Sequence, residues 1–143
     1  MQEQEKFNEE LNEIRKDMMI ELKEWWGSRF GGYGGTIVTQ SKEVYIYQYY
    51  HRIPENMPED FKKNCIYIRK AKNLSESEFE KICAFIENEI IDKQFEIKMV
   101  RDAGYDIEVN YNGVNKVIIN NKSFGDDLEV YDMAEKLLKE ILG

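Results

Sequence analysis

Histidine occurs once in these 143 residues, proline twice and cysteine twice. Each shortage closes a route. A lone His51 cannot build a His-rich metal site, and Cys65 and Cys83 have no ligand spacing that would replace it. Two cysteines are too few for a disulfide framework, so a reducing, cytoplasmic setting is expected. No apolar run approaches membrane-spanning length, and the opening MQEQEKFNEE does not read as a secretory signal. No membrane partner is expected. The GxGxxG and GxxxxGK[ST] phosphate loops are absent, and no acidic cluster has calcium-loop spacing. Neither a metal nor a cofactor is therefore expected.

What is present fits one α+β domain over residues 1–143 with a sizeable core. Hydrophobic residues make up 42% and charged residues 34%, ordinary proportions for a globular chain. The net charge of −8 is unevenly spread. Residues 31–72 carry 7 basic and 4 acidic side chains, whereas residues 73–143 carry 8 and 16. An acidic chain repels nucleic acid at long range, so nucleic acid is disfavoured as a direct partner. The bias toward lysine, isoleucine, asparagine and glutamate suits a phage or bacterial source.

Phe7, Leu11, Ile14, Met18, Leu22 and Trp25 recur at spacings of three and four, which predicts an amphipathic helix over roughly residues 3–26, stopped by Gly27. Strand-like runs follow at 36–40, 43–50 and 65–70, with a loop carrying Pro54 and Pro58 before the last. Ser75 and Glu78 form a capping box, and Leu74 with Phe79 supplies the hydrophobic staple. Phe79, Ile82, Cys83, Ile86 and Ile90 then make the apolar face of a second helix, with Cys83 a buried thiol. A third helix starts near Asp126 and buries Tyr131, Ala134, Leu138 and Ile141.

Residues 94–120 read as a three-stranded meander. Three-residue loops at 102–104 and 111–113 set Met99 against Ile107, Ile97 against Val109 and Phe95 against Tyr111. They also set Ile107 against Val117 and Tyr105 against Ile119. A two-residue Asn112-Gly113 turn would pair Val109 with Lys116, so the three-residue register is preferred. It buries Phe95, Ile97, Ile107, Val109, Val117 and Ile119, and leaves Lys98, Glu108 and Lys116 together on the solvated face. The architecture implied is an N-terminal helix followed by two βββα units, an antiparallel sheet with helices packed on one face.

No catalytic set emerges, so candidate function rests on surfaces. The glycine-rich WWGSRFGGYGG, residues 25–35, follows a helix and precedes a strand, the reverse of a phosphate cradle. Its simplest role is a mobile connection at Gly31–Gly35; its functional role is a recognition loop anchored by Trp26, Arg29 and Tyr33. Along residues 45–52, Tyr45, Tyr47 and Tyr49 share one strand face, followed by His51 and Arg52. That row either lines the core or, with the cations Lys62, Lys63, Arg69, Lys70 and Lys72 nearby, meets an anionic small ligand such as a nucleotide. A nuclease built on His51 with Glu55 or a tyrosine is a further alternative. On the last helix, Glu129, Asp132, Glu135 and Glu140 form an acidic face suited to a basic protein surface.

In its small size, acidity and lack of catalytic motifs the chain is similar to phage-encoded inhibitors such as anti-CRISPR proteins, and to bacterial immunity proteins. No diagnostic motif carries that similarity. It implies a non-enzymatic inhibitor that occludes a protein effector, such as a nuclease, through an acidic surface.

Overall fold

Apolar spacing at both ends of the chain, and alternation between them, set the order of elements. The computed structural model describes residues 2–26, 31–51, 56–93, 104–120 and 129–143. Helix α1 (Gln2–Arg15) leads into strands β1 (Met18–Trp26), β2 (Gly32–Thr39) and β3 (Glu43–Tyr50). A short helix α2 (Glu59–Cys65), strand β4 (Ile66–Asn73) and helix α3 (Glu76–Ile86) follow. Strands β5 (Gly104–Tyr111) and β6 (Val114–Asn120) precede helix α4 (Glu129–Leu142). The six strands make one antiparallel sheet in the order β4-β3-β2-β1-β5-β6. The α+β class and the helix after each run of strands are as the sequence implies.

The first helix is shorter than its periodicity predicts. Phe7 and Leu11 are buried on α1, but α1 stops at Arg15 and residues 18–26 form β1. That segment satisfies both periods, because Ile20 and Leu22 also alternate with Glu21 and Lys23. The strand wins through tertiary pairing: β1 is hydrogen-bonded along both edges, to β2 and to β5, and joins the two halves of the sheet. A register shift between Met18 and Ile20 sends Met18 into one core and Met19 and Ile20 into the other. Gly27 lies outside the described residues.

Two cores result. On one face, α3 and α4 cover Ile20, Leu22, Val38, Val44, Ile107 and Val109, an aliphatic layer completed by Ile82, Ile86 and Leu138. On the other, α1 lays Phe7 and Leu11 over Met18, Ile37, Tyr47 and Tyr49. The capping box at the start of α3 is present in both directions, Ser75 accepting from the Glu78 amide and Glu78 from the Ser75 amide. α3 runs on as a π-helical turn, Glu87–Ile91, which buries Ile90.

The register of the last hairpin is the two-residue one. Tyr111 pairs with Val114, so Val109 faces Lys116 and Ile107 faces Ile118. Asn112 and Gly113 hold φ of 48° and 79°, the mirror-image turn that matches strand twist. Val117 is consequently exposed and Ile118 buried, and Glu108 and Lys116 lie on opposite faces. The cost of a lysine on the core side is offset by helix-end carbonyls: Lys116 Nζ donates to Ile90 O at 2.8 Å and to Lys93 O. The pairing expected for residues 94–100 also fails. Its partners lie outside the described residues, but β1 holds that edge of β5, with Leu22 opposite Ile107 and Ile20 opposite Val109.

Gly32, Gly34 and Gly35 are strand residues and not a mobile connection. At Gly35 a Cβ would stand 2.3 Å from Leu22 O and 2.7 Å from Tyr47 Oη. The bare backbone is what lets the Tyr47 ring lie across β2.

Candidate functional site

Strand alternation places Tyr45, Tyr47 and Tyr49 under α1, which makes most of the row core: Tyr47 and Tyr49 are buried and Tyr45 half-buried. Beneath the same helix lies an ionic network. Arg15 donates through Nε and Nη2 to the two Glu21 carboxylate oxygens, at 2.9 and 2.8 Å. The Tyr47 hydroxyl donates to Glu21 Oε2, and Arg15 Nη2 reaches Tyr47 Oη at 3.4 Å. Burial opposes the Arg15 charge, but Glu21 outweighs it and holds the guanidinium above its ordinary pKa. Burial and Glu21 push the Tyr47 hydroxyl upward. These groups lock α1 to the sheet, with Glu21 and Tyr47 buried and Arg15 half-buried.

Further along that face, Tyr33 stacks on Tyr49 at 5.6 Å and donates to Asn8 Oδ1 at 3.0 Å. The exposed His51 ring approaches Tyr33 and Tyr49 at 5.7 and 5.4 Å. The structure thus brings Tyr33, Tyr49 and His51 together. Lys23 lies 5.5 Å over the Tyr33 ring, whereas three of the expected cations are engaged elsewhere. Lys70 pairs with Glu43 and Lys72 with Glu78, each at 2.6 Å, and Arg69 lies 4.3 Å over the Tyr67 ring. Arg29, Arg52 and Glu55 lie outside the described residues. Trp26 pairs through its backbone with Gly32 at the end of β1, so it sits on a strand and not on a helix. Trp25 is half-buried beside Tyr33.

Two open concavities among the described residues flank α4. Its apolar side buries Tyr131, Ala134, Leu138 and Ile141, as the spacing predicts, and Asp132 and Glu140 remain exposed. Glu129 opens the helix, and Glu135 pairs with Lys139 at 3.1 Å. Between α3 and α4 runs a shallow groove of about 570 Å³, with Phe85, Met133 and Leu137 on its floor and Lys81, Lys136, Glu89 and Glu140 on its rim. Between α4 and strands β1–β4 lies a second groove of about 250 Å³. Leu22, Gly34, Thr36 and Ile46 floor it, and Glu24 and Tyr67 stand on its walls. Sequence reasoning missed both, because a groove is a relation between elements. The glycine-rich stretch was the available signal for the second.

Among the described residues, no group of three metal-binding side chains is arranged to hold a metal ion, and no helix is long and apolar enough to cross a membrane. Compared with protein-family models and with curated proteins, the chain matches none.

Proposed function

We propose that the protein is a non-enzymatic inhibitor or immunity-type binder that occludes a basic surface of a protein effector, such as a nuclease. The α3–α4 face is the docking surface. One observation carries this reading: the helical segments Glu76–Ile91 and Glu129–Leu142 include nine acidic and three basic residues, and an apolar-floored groove runs between the two helices. Apolar centres rimmed by charge are the anatomy of protein interfaces, and the sign of the charge selects a basic partner.

The test is capture from host extract by wild-type protein and by a variant reversing Glu80, Asp132 and Glu140 to lysine. A partner that binds wild type, weakens with salt and is lost by the variant supports the reading. A partner held equally by both proteins at all salt concentrations overturns it.

A further inference from the structure

We propose that strand β6 pairs antiparallel with β6 of a second copy of this chain, joining the two sheets across a two-fold axis at Val117. β4 and β6 are the edges of the sheet, and they differ. Exposed Arg69 and Lys70 stand on β4, the kind of charge that keeps another strand away. On β6 the exposed side chains, among those described, are Val114 at 43%, Val117 at 47% and Asn115. Its one charge is Lys116, which lies on the core side and donates to the carbonyls of Ile90, Ile91 and Lys93. An inward lysine guards an edge when its ammonium must reach past that edge to water. Here the helix end already receives it, so a further strand does not strand the charge.

The hairpin fixes which backbone groups face outward. Tyr111 and Val114 flank a two-residue turn and so exchange both of their backbone hydrogen bonds. Alternation then turns Lys116 and Ile118 toward β5, and Asn115, Val117 and Ile119 outward. Among the described residues, no backbone bond engages that outward row. Centred on Val117, the pairing sets Asn115 against Ile119 of the second copy and makes about six hydrogen bonds. A centre at Lys116 would instead set that lysine against itself.

Charge selects a second copy as the occupant. The chain carries −8, so most of its surface repels its own kind, but residues 111–122 contain no acidic residue. Glu108 stands opposite Val117 on β5, which leaves the Glu108 residues of the two copies three strand spacings apart. That is about 14 Å, beyond the ~8 Å over which charges are felt at physiological salt. The paired strands span only about 24 Å, less than a standard interface, so the dimer is weak, with a dissociation constant in roughly the micromolar range. None of the residues lining the α3–α4 groove takes part, so this pairing stands or falls apart from the docking proposed above.

Sedimentation equilibrium of the full chain, from roughly 1 to 500 μM, spans that affinity and tests the pairing. Wild type should pass from monomer to dimer. Val117→Glu sets two carboxylates face to face and should weaken association roughly tenfold or more, as should Val117→Lys with two ammoniums. Because Val117 meets itself, an equimolar mixture of the two variants should associate again as a heterodimer. Thermal melts check that both variants fold, as expected at an exposed position. Hydrogen exchange gives a second reading that needs no variant. In wild type the Asn115, Val117 and Ile119 amides should exchange more slowly as concentration rises, with Lys116 and Ile118 unchanged. A wild type that stays monomeric throughout overturns the proposal, and an effector captured by wild type but lost by Val117→Glu then assigns the edge to that partner. A dimer indifferent to Val117→Glu, or a variant mixture that stays monomeric, overturns it as well.

Discussion

The two faces of the sheet are held by different physics. Under α3 and α4 the contacts are aliphatic, and Ile82, Ile86, Ile90, Ile107 and Val109 are almost completely buried. Under α1 the core is aromatic and ionic: Phe7 meets Tyr33, Tyr47 and Tyr49 at 5.1–6.5 Å, and Arg15, Glu21 and Tyr47 close a network between them. The aliphatic core is non-directional and tolerates small shifts. The ionic one holds only while every partner is present, because a buried carboxylate without its guanidinium is costly. The difference predicts that α1 is the more specifically seated helix and the easier one to release by a single change.

Arg15→Ala tests this most severely. It leaves Glu21 almost fully buried without its cation and should cost about 3–5 kcal/mol by urea denaturation. Ile107→Ala in the other core should cost about 2–5 kcal/mol through its cavity. The two faces part company on rescue. Adding Glu21→Gln to Arg15→Ala should restore more than half of the loss, because an amide oxygen still accepts from Tyr47. No second polar change should rescue Ile107→Ala. An Arg15→Ala cost below about 1 kcal/mol, typical of an exposed pair, would mean the network does not seat α1.

That asymmetry also explains what was legible in the sequence. Residues of the aliphatic side announce themselves by spacing: the faces of α3 and α4 and the capping box at Ser75 are as expected, except that Cys83 is half-buried and not a buried thiol. The other side is disguised. Glu21 and Lys23 look solvated, and Leu22 and Trp25 extend a helical period past Arg15, so β1 was hidden inside a helix pattern. Its loss concealed the groove beside α4, since Gly34 floors a groove only when Glu24 lies across from it on a strand. Lys116 misled for a related reason. Apolar matching argued against setting it opposite Val109, but its ammonium reaches carbonyls of a helix end that linear spacing does not show.

A smaller effect probes the seam between the cores. Gly35→Ala places a methyl against the Leu22 carbonyl and the Tyr47 ring, an overpacking that should cost about 1–3 kcal/mol. Tyr47→Phe should not relieve it, because the backbone carbonyl remains. Restoration of wild-type melting in that double variant would locate the strain in the hydroxyl alone and contradict the close strand approach.

Lys116→Met asks whether the aliphatic side depends on a polar contact after all. The substitution keeps most of the stem and removes the donor to Ile90 and Lys93, with an expected loss of about 1–2 kcal/mol. Hydrogen exchange should show the loss first at the helix end, residues 87–91. Unchanged exchange there would make the contact incidental.

The smallest expected effect concerns Asp106, on the α1 side of the sheet beside Lys23. Its Oδ1 is buried without a hydrogen-bond partner. Burial, opposed by Lys23 and reinforced by Glu21 and Glu108, pushes the carboxyl up to about 6. A carboxyl with a raised pKa binds its proton more tightly in the folded chain, so its contribution favours folding at low pH. That contribution is complete below about 4, falls as pH rises toward 6 and is constant above. Asp106→Asn, which mimics the protonated form, should therefore stabilise the protein at pH 7. The group is half-exposed, so solvent screening reduces the gain to about 1 kcal/mol or less. The advantage should vanish near pH 4, where the wild-type carboxyl is itself protonated. Urea midpoints for both proteins at pH 4, 5, 6 and 7 measure the difference directly. A gain independent of pH would assign the effect to the amide's new hydrogen bonds, and a gain that grows toward pH 4 would reverse the sign of the argument.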